Sequence, residues 1–248
     1  MRFFLLLFTL FSLSFGVVSI APVEIGAKPG TSGQVNASFQ TQRGNTEADA
    51  YSGGVKLQYD DNASYVTWGE LSVNYAEASG VKNTNATYAH LRYIHTFNDI
   101  KNINWEIFAQ SETNQFTSIQ ERFVSGGGMR FHIKDDELGK LYLGMGAFHE
   151  YIAYSTTVDK EENNLRGNFY LAYKKAFSKD SSLSYVGYYQ PKLNGLYDYL
   201  ISNGLELQVF VYEKIYLSLK LSYLVDTKPA IGIKQEDFSQ VTSLVYKF

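Results

Sequence analysis

Residues 237–248 read DFSQVTSLVYKF, and the sequence stops at Phe248. An extended strand puts alternate side chains on one face. Phe238, Leu244, Tyr246 and Phe248 therefore share a face, with Gln240 and Thr242 between them. The same period of two recurs along the chain. In 215–226, Ile215, Leu217, Leu219, Leu221, Tyr223 and Val225 oppose Tyr216, Ser218, Lys220, Ser222 and Asp226, with Leu224 as the exception. Leu165, Gly167, Phe169, Leu171 and Tyr173 oppose Arg166, Asn168, Tyr170, Ala172 and Lys174. Ile103, Trp105, Ile107 and Ala109 oppose Asn104, Glu106, Phe108 and Gln110. A helix would scatter these apolar residues round its surface, so strands are expected throughout.

About twelve such strands fit, one per roughly 19 residues, which suits a tilted bilayer-crossing segment with its turn. The expected spans are 33–42, 50–59, 64–76, 84–97, 102–113, 117–134, 138–155, 163–178, 181–191, 196–212, 214–226 and 237–248. Their connections alternate in length. DDNAS (60–64), NDIKN (98–102), KDDELGK (134–140), SKDSS (178–182) and YEK (212–214) are short and polar. RGNTEADA (43–50), AEASGVKNTNA (76–86), STTVDKEENN (155–164) and DTKPAIGIKQED (226–237) are longer, although the connections near 113–117 and 191–196 on that side are short. Short periplasmic turns facing longer outer loops give this pattern, and an even strand number then puts both mature termini in the periplasm.

The other end of the sequence supports that direction. Arg2, an apolar run from Phe3 to Phe15 and the small residues Gly16, Ser19 and Ala21 have the layout of a signal peptide cleaved near 16–21. An uncleaved anchor is the alternative reading. Residues 22–248 then form one domain. The absence of Cys excludes disulfides, thiolate metal sites, a Cys nucleophile and a lipid-modified Cys. The formal charge of −3, one unit more negative without Arg2, argues against a nucleic-acid partner. Abundant Tyr (20) and Phe (17) with scarce Pro (4) match a strand-rich chain.

Periodicity alone does not say which face is outside. Aromatic residues at the ends of the apolar stripes do: Tyr51 and Tyr59, Tyr65 and Tyr75, Tyr173 and Phe177, Tyr185 and Tyr189, Tyr197 and Tyr199 have the spacing of two interfacial girdles. The expected fold is all-β, a transmembrane antiparallel up-and-down barrel; a secreted soluble barrel is the alternative. By parity the inward set is Lys56, Glu70, His90, Arg92, Glu106, Glu112, Arg122, Arg130, His132, Arg166, Lys174, Glu206 and Lys220. Glu106, Glu112, Arg122, Arg130, Arg166 and Glu206 are the lumen candidates. Their mixed signs point away from strong ion selectivity and leave two forms open, a narrow pore and a salt-bridged plug. Glu112 and Arg122 flank one tight connection with inward parity, so a salt bridge that fixes register is expected between them. Gly126, Gly127 and Gly128, mid-strand, are expected to bend the strand or leave room for a large neighbour.

The ending with Leu244, Tyr246 and Phe248 resembles the closing strand of bacterial outer-membrane barrels, which implies an address read by the barrel-insertion machinery. Two blocks resemble the salt-induced outer-membrane protein family, a family of unknown function. One is Glu112-Thr113-Asn114-Gln115-Phe116 with Arg122, Gly126–Gly128, Arg130 and Phe131; the other is Asp226-Thr227-Lys228-Pro229 with Gly232, Ile233 and Asp237 onward. RGNT (43–46) is similar to that family's first outer loop, and Asn114 stands where the family often has an acidic residue. The resemblance implies a barrel in the Gram-negative outer membrane, with outer-membrane lipids as surroundings and no known chemistry.

No cofactor or metal is expected, and no catalytic residue is assigned. His90, His95, His132 and His149 are the four histidines. His90 and His132 are expected to hydrogen bond in the lumen; His149-Glu150-Tyr151 is expected at the outer rim surface. Neither G-x-S-x-G nor H-E-x-x-H occurs. Asp226, Pro229 and Asp237 frame the last outer loop, either shaping it or offering a cation contact. The expected role is structural or pore-like, with weakly selective passage of small solutes. A lipid-modifying enzyme is the runner-up, and a soluble barrel binding a small apolar ligand is third.

Overall fold

The computed structural model describes residues 25, 29–42, 48–78, 81–97, 102–115, 117–137, 139–156, 158, 161–178 and 181–248. The signal segment, the RGNT stretch and Phe116 lie outside the described residues. Twelve strands are present: β1 (Gly30–Gln42), β2 (Ala48–Asp60), β3 (Tyr65–Ala78), β4 (Val81–Thr96), β5 (Ile103–Asn114), β6 (Ile119–Asp136), β7 (Gly139–Tyr154), β8 (Glu162–Ala176), β9 (Ser182–Lys192), β10 (Gly195–Tyr212), β11 (Ile215–Asp226) and β12 (Glu236–Lys247). Every neighbour in sequence pairs antiparallel, and β12 pairs β1, so the sheet closes into a barrel without crossovers.

Each strand starts and ends within three residues of its sequence-based span. One connection differs in kind. The stretch AEASGVKNTNA is strand almost throughout: β3 and β4 pair as far as Ala78↔Val81, with a bulge between Ala76 and Glu77. The ladder continues beyond Tyr75 of the apolar band, and no Pro interrupts it. At the seam, the register of β1 with β12 runs from Gln34↔Lys247 to Ala37↔Leu244, whereas on its other side β1 pairs β2 along its whole length, Phe39 with Tyr51 included. Beyond Ala37 the first strand follows β2, and the Ser38 and Ser52 hydroxyls meet at 2.5 Å.

The outer face is apolar. Leu57, Leu71, Val73, Leu91, Ile107, Met145, Leu165, Leu217 and Leu244 are all exposed there. Two aromatic belts bound it. Near the short turns, Tyr59, Tyr65, Tyr93 and Trp105 make ring contacts 5.3–6.0 Å apart. Near the other rim, Phe39, Tyr51 and Tyr75 follow one another at 5.0 and 6.4 Å. Ten residues separate Tyr65 from Tyr75 on β3; at ~3.3 Å rise and ~40° tilt that is about 25 Å, the height of a membrane-facing band. In hydrocarbon only a closed sheet satisfies its backbone, and this one closes.

Candidate functional site: the lumen

The inner face is polar in one half of the barrel and packed in the other. From β3 to β9 the inward positions carry bulk: Val66, Trp68, Ile94, Phe108, Val124, Tyr142, Phe148, Tyr170 and Tyr188 are buried in one cluster. Of the two forms left open by the sequence, this half of the lumen has the character of a plug. A barrel of this strand number is too wide for its wall residues to fill unless several are aromatic.

Glycines on β6 and β7 make space for those rings. A Cβ on Gly126 would run into Phe148 and the Ala147 backbone, and one on Gly144 would enter the ring of Tyr170. Gly128 and Gly146 are register partners whose backbones approach too closely for any side chain. Of the triple glycine, Gly126 thus leaves room for a large neighbour, Phe148, one of the two roles expected for the run, whereas Gly127 and Gly128 admit a close approach of neighbouring backbone.

The charged residues are threaded through this packed half. Near the rim of the longer loops, Glu112 and Arg122 are register partners and pair at 3.3 Å. The network extends beyond the Glu112–Arg122 pair expected from the sequence. Arg122 Nε and Nη2 donate to Glu150 Oε1 at 2.8 and 2.6 Å. Arg166 Nε donates to Glu150 Oε2 at 2.6 Å, and its Nη2 donates to Asp198 Oδ1 at 3.0 Å. Asn164 Nδ2 adds a bond to Glu150 at 3.2 Å, and Lys192 Nζ stands 3.7 Å from Asp198. Signs therefore alternate along the wall as Glu112, Arg122, Glu150, Arg166, Asp198 and Lys192.

Glu150 is the centre of this network and is 0 % exposed. That corrects the surface reading of His149-Glu150-Tyr151 at its middle residue: His149 and Tyr151 face outward and Glu150 inward, as alternation demands. Glu150 lies one diagonal from both arginines, because Val124↔Glu150 and Phe148↔Arg166 are the register pairs. Long side chains bridge such diagonals. Inward parity was the available signal, and the rim position masked it.

Deeper in the lumen, Arg92 Nη1 bonds Glu106 Oε2 at 3.1 Å, and the Tyr170 hydroxyl donates to Glu106 Oε1 at 2.9 Å. The Arg92 guanidinium carbon lies 4.7 Å from the Phe108 ring centre, and that of Arg130 lies 3.9 Å from that of Tyr142. Cation–π contact is what makes these two buried cations tolerable where carboxylates are few. His90 and His132 are held by ring contacts, stacking on Tyr88 at 6.2 Å and on Tyr142 at 4.8 Å.

The opposite half of the lumen, between β9 and β3 through the seam, is lined by small residues. Ser52, Gly53, Ser72, Ser184, Gly204, Ser218 and Ser243 surround a cavity of ≈ 130 Å³, with Gln34, Asn36 and Asn74 also in its wall. Four charges face it, Lys56 and Glu70 on β2 and β3 and Glu206 and Lys220 on β10 and β11. Glu206 is anchored: its Oε1 accepts from Ser218 Oγ at 2.7 Å and from Gln208 Nε2 at 2.9 Å.

The mouth with the longer loops is narrowed by residues 227–235. The Thr227 hydroxyl accepts from Tyr199 N at 2.8 Å, and Asp226 Oδ1 accepts from Lys228 N at 2.8 Å. The segment turns inward so that Ala230 is buried, and Pro229, Asp226 and Asp237 line a void of ≈ 50 Å³ beside Arg122, Glu150 and Arg166. Asp226 shapes the loop; among the described residues no group of three or more ligating side chains is placed to hold a metal ion. Ile25, ahead of β1, packs against the buried cluster.

Residues 35–248 match the family described as protein of unknown function, DUF481. The chain belongs to that family. The DUF481 match spans both blocks on which the resemblance to an outer-membrane barrel family of unknown function rested. No curated protein sequence matches the chain. Among solved structures, the NanC porin is similar in fold, with a TM-score of 0.51 over 87 % of this chain and 98 % of that one at 11 % identity. The translocator domain of the autotransporter NalP from Neisseria meningitidis gives 0.47 over 89 % of each chain at 15 % identity. The KdgM porin gives 0.43 at 11 % identity, covering 88 % and 99 %. The fold of this DUF481 barrel is thus similar to that of the NanC porin.

Proposed function

We propose that this barrel resides in the Gram-negative outer membrane and passes small polar solutes, with weak charge selectivity, through the serine-lined half of its lumen. The observation that carries this reading is the asymmetry of the inner wall. A purely structural barrel gains by filling its lumen, as β3–β9 do. The remaining wall is lined by Ser, Gly and Asn around a void. Two cations and two anions face that void, and an unbalanced ring would be needed to favour one ion sign strongly. Both ends of the described barrel, Gly30 and Phe248, lie at the rim of the short turns, which supports a periplasmic position for both termini.

Conductance across a planar bilayer tests the reading. Purified full-length protein is expected to give small steps, with a reversal potential near zero in a potassium chloride gradient. A barrel that shifts between boiled and unboiled samples on a gel, yet carries neither ions nor solutes, would reduce the role to a structural one.

A further inference from the structure

We propose that the cavity beside the seam is a subsite for a small zwitterion, a molecule with one ammonium and one carboxylate a few bonds apart, held between Glu70 and Lys56. The proposal deepens the pore reading and rests on it for the route by which the solute arrives.

Lys56 and Glu70 are direct register partners on β2 and β3, and both line the cavity. Cross-strand neighbours of opposite charge ordinarily pair. Among the described residues no ion pair joins these two. The Lys56 ammonium instead lies 5.3 Å from the centre of the Trp68 ring. It makes a cation–π contact there in place of a contact with the carboxylate. A cation and an anion thus flank one void without meeting. On the far wall Glu206 differs, since Ser218 and Gln208 already occupy its Oε1. Glu206 and Lys220 nonetheless face the same cavity as Lys56.

That arrangement selects a chemical class. An ammonium group accepted by Glu70 and a carboxylate bonded by Lys56 satisfy both side chains, and the complex adds no net charge to a partly desolvated site. An anion alone would leave Glu70 facing it, and a cation alone would leave Lys56. A neutral polyol would bond the serines and asparagines and use neither charge. The amide oxygen of Asn36, buried and without a hydrogen-bond partner at the same wall, offers a further acceptor for an ammonium. Size sets the upper limit. A volume of ≈ 130 Å³ is close to the ~150 Å³ of cavities that admit a benzene-sized molecule. Glycine or alanine fits, and an oligosaccharide does not.

The test uses the full chain in two settings, with glycine as the zwitterion, glycerol as the neutral probe, and acetate and methylammonium as single-charge probes. Calorimetric titration of the folded protein in detergent is expected to detect glycine and to find the single-charge probes weaker. Lys56→Gln and Glu70→Gln are each expected to weaken glycine binding roughly tenfold, the loss of one charge-assisted hydrogen bond. In vesicles both are expected to lower the rate of swelling in glycine relative to glycerol, with the boiled-to-unboiled gel shift intact. Should either single variant fail to fold, the exchange Lys56→Glu with Glu70→Lys keeps the charge balance and is expected to retain glycine binding. Glycine binding without swelling in any solute overturns the pore reading and leaves the subsite standing. Swelling with a glycine-to-glycerol ratio that neither variant changes, or no glycine binding at all, overturns the subsite.

Discussion

The backbones of Phe248 and Gly33 exchange both of their hydrogen bonds, at 3.0 Å in each direction, and the Phe248 ring lies over the bare α-carbon of the glycine. A Cβ at position 33 would stand 2.6 Å from the ring's Cζ and 2.9 Å from Leu57 Cδ2. The last residue of the chain is thus the final rung of the seam. That seam has few other rungs, since the β1–β12 register ends at Ala37↔Leu244.

The closure can be tested by a double-mutant cycle. Gly33→Val is expected to lower refolding yield into detergent or lipid, and Phe248→Ala to lower it through lost packing. Together they are expected to cost less than the sum, with a coupling of about 0.5–3 kcal/mol, because removing the ring makes room for the valine. Strictly additive urea midpoints would show that the ring does not bear on the glycine.

Glu150 holds two arginines, so the network near the rim is expected to be a staple. Arg122→Ala removes the donor that Glu112 and Glu150 share. It is expected to destabilise the barrel by roughly 3–5 kcal/mol, as when one partner of a buried pair is lost. Glu112→Gln is expected to cost less, since it keeps an acceptor for Arg122 and leaves the bonds to Glu150 intact. Urea unfolding of both variants provides the measurement; an unchanged midpoint for Arg122→Ala would make these charges solvated.

Gly144 is expected to tolerate no side chain while Tyr170 is present. Gly144→Val should cost about 1–3 kcal/mol by overpacking. Tyr170→Ala in the same chain should recover part of that, at the expense of the bond from Tyr170 to Glu106. Thermal melting in detergent of the single and double variants decides it.

The turn between β2 and β3 should carry a pH dependence. Asp61 loses some solvation there, which works against ionisation. The backbone N–H groups of Tyr65, Ala63 and Ser64 and the Ser64 hydroxyl outweigh that loss and hold the carboxyl well below the usual carboxylate range. A folded-state value below the unfolded one means that the stabilisation is present above about pH 4, the unfolded value, and fades as pH falls toward the folded one. Asp61→Asn is expected to lower the urea midpoint at neutral pH, with the difference shrinking in strong acid. A difference that is constant with pH would assign the effect to turn geometry alone.

Residues 227–235 are fastened chiefly at Thr227, whose hydroxyl meets Tyr199 N at 2.8 Å. Thr227→Val should cost about 1 kcal/mol in stability. If the lumen conducts, the variant should also raise single-channel conductance by freeing the mouth; unchanged conductance with normal folding would show that this loop does not limit flow.

The sequence by itself determined the strands, their two faces and the order of their pairing. Alternation is a property of one strand's backbone, and the apolar and aromatic pattern on β3 or β11 needs no distant partner to be read. Inward parity likewise named Glu106, Glu112, Arg122, Arg130, Arg166 and Glu206, and adjacency in a hairpin was enough to join Glu112 to Arg122. The tertiary structure decided what those inward residues meet. Glu150 joins Arg122 and Arg166 across three strands, and Tyr170 reaches Glu106, 64 positions away, across the lumen. Such contacts depend on the stagger with which the sheet closes and on the volumes facing each other across it. Neither quantity is local to any strand. For the same reason the division of the lumen into a packed half and a hollow one appeared only once the barrel was closed.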